Sequence, residues 1–113
     1  MAKKILLIED EPRQIEIYEK VIGEAGFEIE SLKWGKEGLE RLEEIKTKKK
    51  ETPDLILLDL ILPDINGIAI LEKAKAEPQL KDIPFFERDC IKNKIDISNS
   101  ILKIKFLCLI HQK

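Results

Sequence analysis

Leu55-Ile56-Leu57-Leu58-Asp59-Leu60-Ile61-Leu62-Pro63-Asp64-Ile65-Asn66-Gly67 decides the fold of this chain. Four apolar residues run without a polar break into a carboxylate, and turn-forming residues follow. An unbroken apolar run of this length fits a strand buried on both faces of a parallel sheet. A second run, Ile5-Leu6-Leu7-Ile8, ends in the same way in Glu9-Asp10. In open α/β sheets, ligands sit outside the carboxyl ends of the strands, where the strand order reverses. Glu9, Asp10 and Asp59 delivered to that edge predict a cation site, with one carboxylate left for covalent chemistry.

The segments between the two runs are helical and extended in turn. Pro12 marks a first helical turn, with Glu11 at the positive end of the helix dipole. Ile15, Tyr18, Ile22 and Ala25 follow at spacings of three and four, and Gly26 suits a left-handed stop. Phe27-Glu28-Ile29-Glu30 alternates as a half-buried second strand does. Leu39, Leu42 and Ile45 line a second helix, with Glu40, Arg41, Glu43, Glu44 and Lys46 on its polar side. The Lys48-Lys49-Lys50 run reads as a solvated exit. Pro63 and Gly67 punctuate the loop after Asp59, and Asp64 to Gly67 serve that turn and the next helix start. Ile68, Leu71 and Ala74 then support a third helix stopped by Pro78. The order βαβαβα predicts a parallel sheet with helices on both faces. Trp34 and Tyr18 read as packing residues and His111 as a surface one.

Taken singly, each acidic group has a plain structural explanation: helix capping for Glu9-Asp10-Glu11, and a loop position for Asp59. Spacing and register together select a narrower reading. The acidic pair ending the first strand, Asp59 ending the third, and Asp59-x-x-x-Pro63-x-x-x-Gly67 resemble the receiver domain of two-component response regulators over about residues 3–84. The resemblance implies a flavodoxin-like doubly wound α/β fold with strand order 2-1-3-4-5. It also implies that Asp59 is the phosphoacceptor, that the cofactor is Mg²⁺, and that Glu9, Asp10, Asp59 and the backbone carbonyl of Ile61 are its protein ligands. The implied partner is a sensor histidine kinase or a phosphotransfer protein.

After Pro84 the sequence departs from that family. All five Gly and all five Pro lie at or before Pro84, and the excess of acidic residues up to that point becomes a basic excess after it. The resemblance calls for a strand ending in Ser or Thr near residues 87–89, which are Glu87, Arg88 and Asp89. It also calls for a Lys around Lys105, where the surrounding sequence does not match, so no switch hydroxyl and no Lys role are assigned. Phe85 to Asp89 starts like a strand, but Lys94 to Ile97 and Leu102 to Phe106 alternate like a hairpin. Residues 1–84 therefore read as a receiver core, and 85–113 as a divergent or frameshifted tail that leaves the fold incomplete or altered. A third strand without its neighbour would expose an apolar edge. Part of the tail, Phe85-Phe86 or Ile101 to Ile110, is expected to cover it, or two chains to meet there as a homodimer.

Composition narrows the function classes. At 113 residues, 43% hydrophobic and 37% charged, the chain is long enough for one domain with its own core. A net charge of −2 gives no case for nucleic-acid binding through this domain. No run approaches the roughly 20 apolar residues of a membrane span, and the run after Met1-Ala2-Lys3-Lys4 is too short for a signal-peptide core. No membrane association and a cytoplasmic location are thus expected. Cys90 and Cys108 lie far apart without metal-ligand spacing, so neither a disulfide nor a zinc site is expected. A phosphohydrolase of the haloacid-dehalogenase type needs Asp-x-Asp at the nucleophile, and residue 61 is Ile. What remains is a non-enzymatic phosphoacceptor module or, as the alternative, a pseudo-receiver acting only through association.

Overall fold

A computed structural model describes residues 3–88. In chain order its elements are β1 (Lys4–Ile8), α1 (Pro12–Glu24), β2 (Glu28–Leu32), α2 (Gly35–Lys46), β3 (Leu55–Asp59), α3 (Gly67–Ala76) and β4 (Phe85–Arg88). The four strands form one sheet in the order β2-β1-β3-β4, and every neighbouring pair is parallel. The expected order 2-1-3-4 is therefore present. The expected fifth strand, the hairpin-like stretches read over residues 94–97 and 102–106, and His111 lie outside the described residues. The sheet continues past Pro84, because Phe85 to Arg88 pairs with Ile56 to Asp59.

The apolar runs are continuous because each strand is covered on both faces. Leu6, Ile8, Ile56 and Leu58 point to one side, against Leu42 and Ile45 of α2 and Ile70 and Ala74 of α3. Ile5, Leu7, Leu55 and Leu57 point to the other, against Ile15, Tyr18 and Ile22 of α1. Burying one such Leu or Ile contributes roughly 1.5–3 kcal/mol, so β1 and β3 anchor the fold. Helix α1 lies on one face and α2 and α3 on the other, as right-handed crossovers require when the chain moves first one way and then the other from β1. That reversal sets the switch point between the carboxyl ends of β1 and β3.

Several local expectations shift. Strand β2 runs two residues further than Glu30, to Leu32, and it forms the sheet edge. In α3 the buried positions are Gly67, Ile70 and Ala74, whereas Ile68 is exposed. Ile68, Ile70 and Leu71 are all apolar, so periodicity could not choose the face; docking of Gly67 against the end of β3 chooses it. Tyr18 is fully buried, as a packing residue should be. Trp34 is 49% exposed and so is not the packing residue the sequence suggested; it is the extended N-cap residue that precedes the first turn of α2. Gly26 takes φ +95° after α1, the left-handed stop its position suggested. Arg41 is not on a solvated face: its side chain is 16% exposed and pairs with Glu30 of β2 and with Glu44. Arg41 donates to Glu30 and holds that carboxyl below its ordinary value, outweighing the rise from burial.

Candidate functional site

The carboxyl ends of β1 and β3 bring Glu9, Asp10 and Asp59 together. One carboxylate oxygen from each lies within 4.8 Å of the others. Glu9 and Asp59 are each only 1% exposed, and Asp10 is half-buried. Parallel pairing of β1 with β3 sets Ile8 beside Leu58, so the residues that follow both strands emerge at one level. The backbone holds the cluster in place. Glu9 donates its amide to the Leu32 carbonyl at 2.9 Å, and its carboxylate accepts the Glu11 amide at 3.2 Å. Glu11 caps α1 by accepting the Gln14 amide at 2.9 Å. Capping thus falls to Glu11, which leaves Asp10 facing the cluster.

Asp59 Oδ1 accepts the amide of Ile61 at 2.9 Å, which ties the loop after β3 to the carboxylate. That loop is closed at its base by a bridge between Ile61 and Asn66 and by the Gly67 amide donating to the Leu60 carbonyl at 2.9 Å. Asn66 caps α3 by accepting the Ile68 amide at 2.9 Å. Gly67 is the first residue of α3 and has no positive φ among the described residues, so it is not there for a left-handed turn. A Cβ at this position would stand 2.4 Å from the Asp59 carbonyl oxygen and 2.6 Å from Leu60 Cα. The glycine is needed for space, because α3 starts in contact with the backbone of the candidate site.

Asp64 has a role that the sequence reading did not assign. Its two oxygens accept the amides of Gly35 at 2.8 Å and Lys36 at 2.9 Å, the first turn of α2. Helix α2 begins after Trp34, which offers no capping oxygen, so its N-terminal amides are satisfied from a loop almost thirty residues away. The missing capping residue before Gly35 was the one available sign. Partial burial pushes the Asp64 carboxyl up, but the Lys36 and Gly35 amides outweigh it and hold it below the usual carboxylate value. A carboxyl more acidic in the folded chain than in the unfolded one stabilises the fold above the unfolded value of about 3.9, and that contribution is lost as pH falls through the folded value. Asp64→Asn should therefore be less stable than the unaltered chain at pH 7. The gap between their urea midpoints should close as the pH is taken below about 4; a gap independent of pH would contradict the capping role.

The cluster meets the demands of a hard divalent cation: all donors are oxygens, they converge, and two come from buried side chains that repel one another. Two unit negative charges some 4–5 Å apart repel by roughly 4 kcal/mol at an effective dielectric near 20. The register also locates the departure from the expected machinery. Arg88 is the β4 partner of Asp59, and no residue from Phe85 to Arg88 carries a hydroxyl. Among the described residues, no helix is long and apolar enough to cross a membrane.

Comparison with known proteins agrees with this geometry. The family model for the response regulator receiver domain matches residues 5–86. The chain is 29% identical over 84 residues to the polar-differentiation response regulator DivK of Brucella ovis, covering 74% of this chain and 63% of that protein. It therefore spans about 63% of the length of such curated relatives. Among solved structures, the phosphorylated cyanobacterial phytochrome response regulator RcpA is 27% identical with TM-score 0.71, over 99% of this chain and 76% of that one. The Mn²⁺-bound form of response regulator Rcp1 is 27% identical with TM-score 0.72, over 97% and 89%. A receiver domain from a signal transduction histidine kinase of Syntrophus aciditrophicus shares the fold at TM-score 0.81 and 23% identity, over 99% and 94%.

Proposed function

The chain belongs to the response regulator receiver domain family, and from that premise we propose that it accepts a phosphoryl group on Asp59 from a phosphohistidine donor. The observation that carries this reading is the convergence of Glu9, Asp10 and Asp59 at the switch point. A carboxylate oxygen of Asp59 attacks the phosphorus, the phosphorus–nitrogen bond of the donor breaks, and the imidazole nitrogen leaves and takes up a proton. The donor is a sensor histidine kinase or a phosphotransfer protein, as in the family.

Asp10 and Asp59 would hold Mg²⁺ directly, Glu9 through water, with the Ile61 backbone carbonyl as the remaining protein ligand. When bound, Mg²⁺ supplies charge neutralisation between the carboxylates and the oxygens of the incoming phosphoryl group. The chain itself provides the rest. Asp59 is only 1% exposed, and the Ile61 amide fixes the rotation of its carboxylate. The test is incubation with Mg²⁺ and acetyl phosphate, followed by intact mass. One added phosphoryl group supports the reading, and an unmodified chain refutes it.

The ion site makes a separate prediction. At about 10 mM Mg²⁺ and a Kd near 1 mM, the mass-action stabilisation is about 1.4 kcal/mol. Asp10→Asn should abolish most of that increment and raise metal-free stability by on the order of 1 kcal/mol, since one repulsive charge is gone. Urea unfolding with and without Mg²⁺ measures both. A drop in metal-free stability would make Asp10 a structural residue instead.

The β4 register favours a second reading. With Arg88 opposite Asp59 and no hydroxyl from Phe85 to Arg88, a phosphoryl group on Asp59 lacks the partner that receivers take from this strand. On that reading the chain is a pseudo-receiver whose surface serves association. Absence of labelling by acetyl phosphate, with the fold intact, selects it.

A further inference from the structure

The loop that reads Asp59 is bolted to a helix on the far side of the sequence. Residues 60–66 begin with the Ile61 amide on Asp59 Oδ1, and their tip is Asp64, which accepts both first-turn amides of α2. The side chain of Ile65 lies so close to Gly35 that a Cβ there would stand 2.2 Å from Ile65 Cγ1. One turn on, a Cβ at Gly38 would stand 2.8 Å from Ile8 Cδ1, just before Glu9 in β1. Gly35 and Gly38 lie on one face of α2 and let it approach loop and sheet closely. The start of α2 therefore has little freedom to stay still if the loop moves. Directly outside this junction sits Trp34, 49% exposed and the one tryptophan of the chain.

We propose that Asp64 is a positioning residue that couples the phosphorylation state of Asp59 to the N-terminus of α2, so that the surface around Trp34 is where this receiver's state is displayed. The inference rests on Asp59 being the phosphoacceptor. Phosphorylation turns one carboxylate oxygen into an acyl phosphate oxygen and removes the carboxylate charge that the Ile61 amide meets. The acyl oxygen that remains is neutral and accepts the Ile61 amide more weakly than a carboxylate does, and the phosphoryl group beside it needs room, so the peptide after Asp59 shifts. The shift passes through the closed Ile61–Asn66 loop to Asp64, and through its two hydrogen bonds to Gly35 and Lys36. No hydroxyl from β4 is needed for this route, which suits a chain whose Phe85 to Arg88 offers none.

The experiment follows Trp34 fluorescence and intact mass together as the full chain is treated with Mg²⁺ and acetyl phosphate. The expected result is a shift in Trp34 emission that rises in proportion to the adduct, and Asp64→Asn should form the adduct while losing that shift. Adduct formation with unchanged Trp34 emission in the unaltered chain overturns the coupling but leaves the phosphoacceptor reading intact. So does an undiminished shift in labelled Asp64→Asn, since Trp34 would then sense the phosphoryl group without Asp64. No adduct in the unaltered chain refutes the phosphoacceptor reading, and the coupling falls with it. If Asp64→Asn does not fold, hydrogen exchange at the Gly35 and Lys36 amides of the unaltered chain decides. Altered protection on labelling supports the coupling, and identical protection overturns it.

Discussion

Asp59→Asn should stay at its unmodified mass after incubation with Mg²⁺ and acetyl phosphate, whereas the unaltered chain gains about 80 Da, one phosphoryl group. The amide is nearly isosteric with the carboxylate, and its oxygen can still accept the Ile61 amide that Asp59 Oδ1 accepts at 2.9 Å. The fold and the loop should survive, and only the anionic nucleophile is removed. Because Asp59 is 1% exposed beside Glu9 and Asp10, loss of its charge should also raise metal-free stability. The two readouts move in opposite directions: labelling is lost while stability is gained. A misfolded variant would lose both. Equal labelling of Asp59→Asn would place the phosphoryl group elsewhere, with Asp10 or Glu9 as the nearest candidates, and the assignment of Asp59 would fail.

The parts of this site that were legible in the sequence are those fixed by strands covered on both faces. Two-sided burial turns β1 and β3 into unbroken apolar runs, and the residue that ends such a run must lie at the sheet edge. The local pattern therefore placed Glu9, Asp10 and Asp59 at the carboxyl edge, while their meeting there rested on the strand order implied by the family resemblance. What escaped depends on contacts between distant segments. Asp64 looked like a turn residue for its own loop, yet its partners are Gly35 and Lys36. Arg41 looked solvated on helical periodicity, yet Glu30 of an adjacent strand draws it in. The buried face of α3 was ambiguous because Ile68, Ile70 and Leu71 offer apolar surface on more than one side. Local spacing supplies no term for any of these, since each is decided by what another element presents.

Gly67 shows how far a short contact can reverse the effect of one substitution. Ala is ordinarily the better helix residue by about 0.8–1 kcal/mol. At Gly23, inside α1, a Cβ would meet nothing within 4 Å. Gly23→Ala should accordingly stabilise the chain by about 0.5–1 kcal/mol. At Gly67 the same Cβ would meet the Asp59 carbonyl oxygen at 2.4 Å and Leu60 Cα at 2.6 Å. Both are backbone atoms, so no side chain can swing aside, and the start of α3 must back away from β3. Overpacking of this kind costs about 1–3 kcal/mol or more, and a backbone clash belongs at the upper end. Gly67→Ala should therefore lose about 3 kcal/mol, a large part of the 5–15 kcal/mol that holds a typical domain. Its labelling by acetyl phosphate should also slow, because the displaced carbonyl belongs to Asp59 itself. Urea midpoints of the two variants measured side by side give the sign directly. If Gly67→Ala proved as stable as Gly23→Ala, α3 would not start against the backbone of Asp59, and the glycine would serve the turn alone.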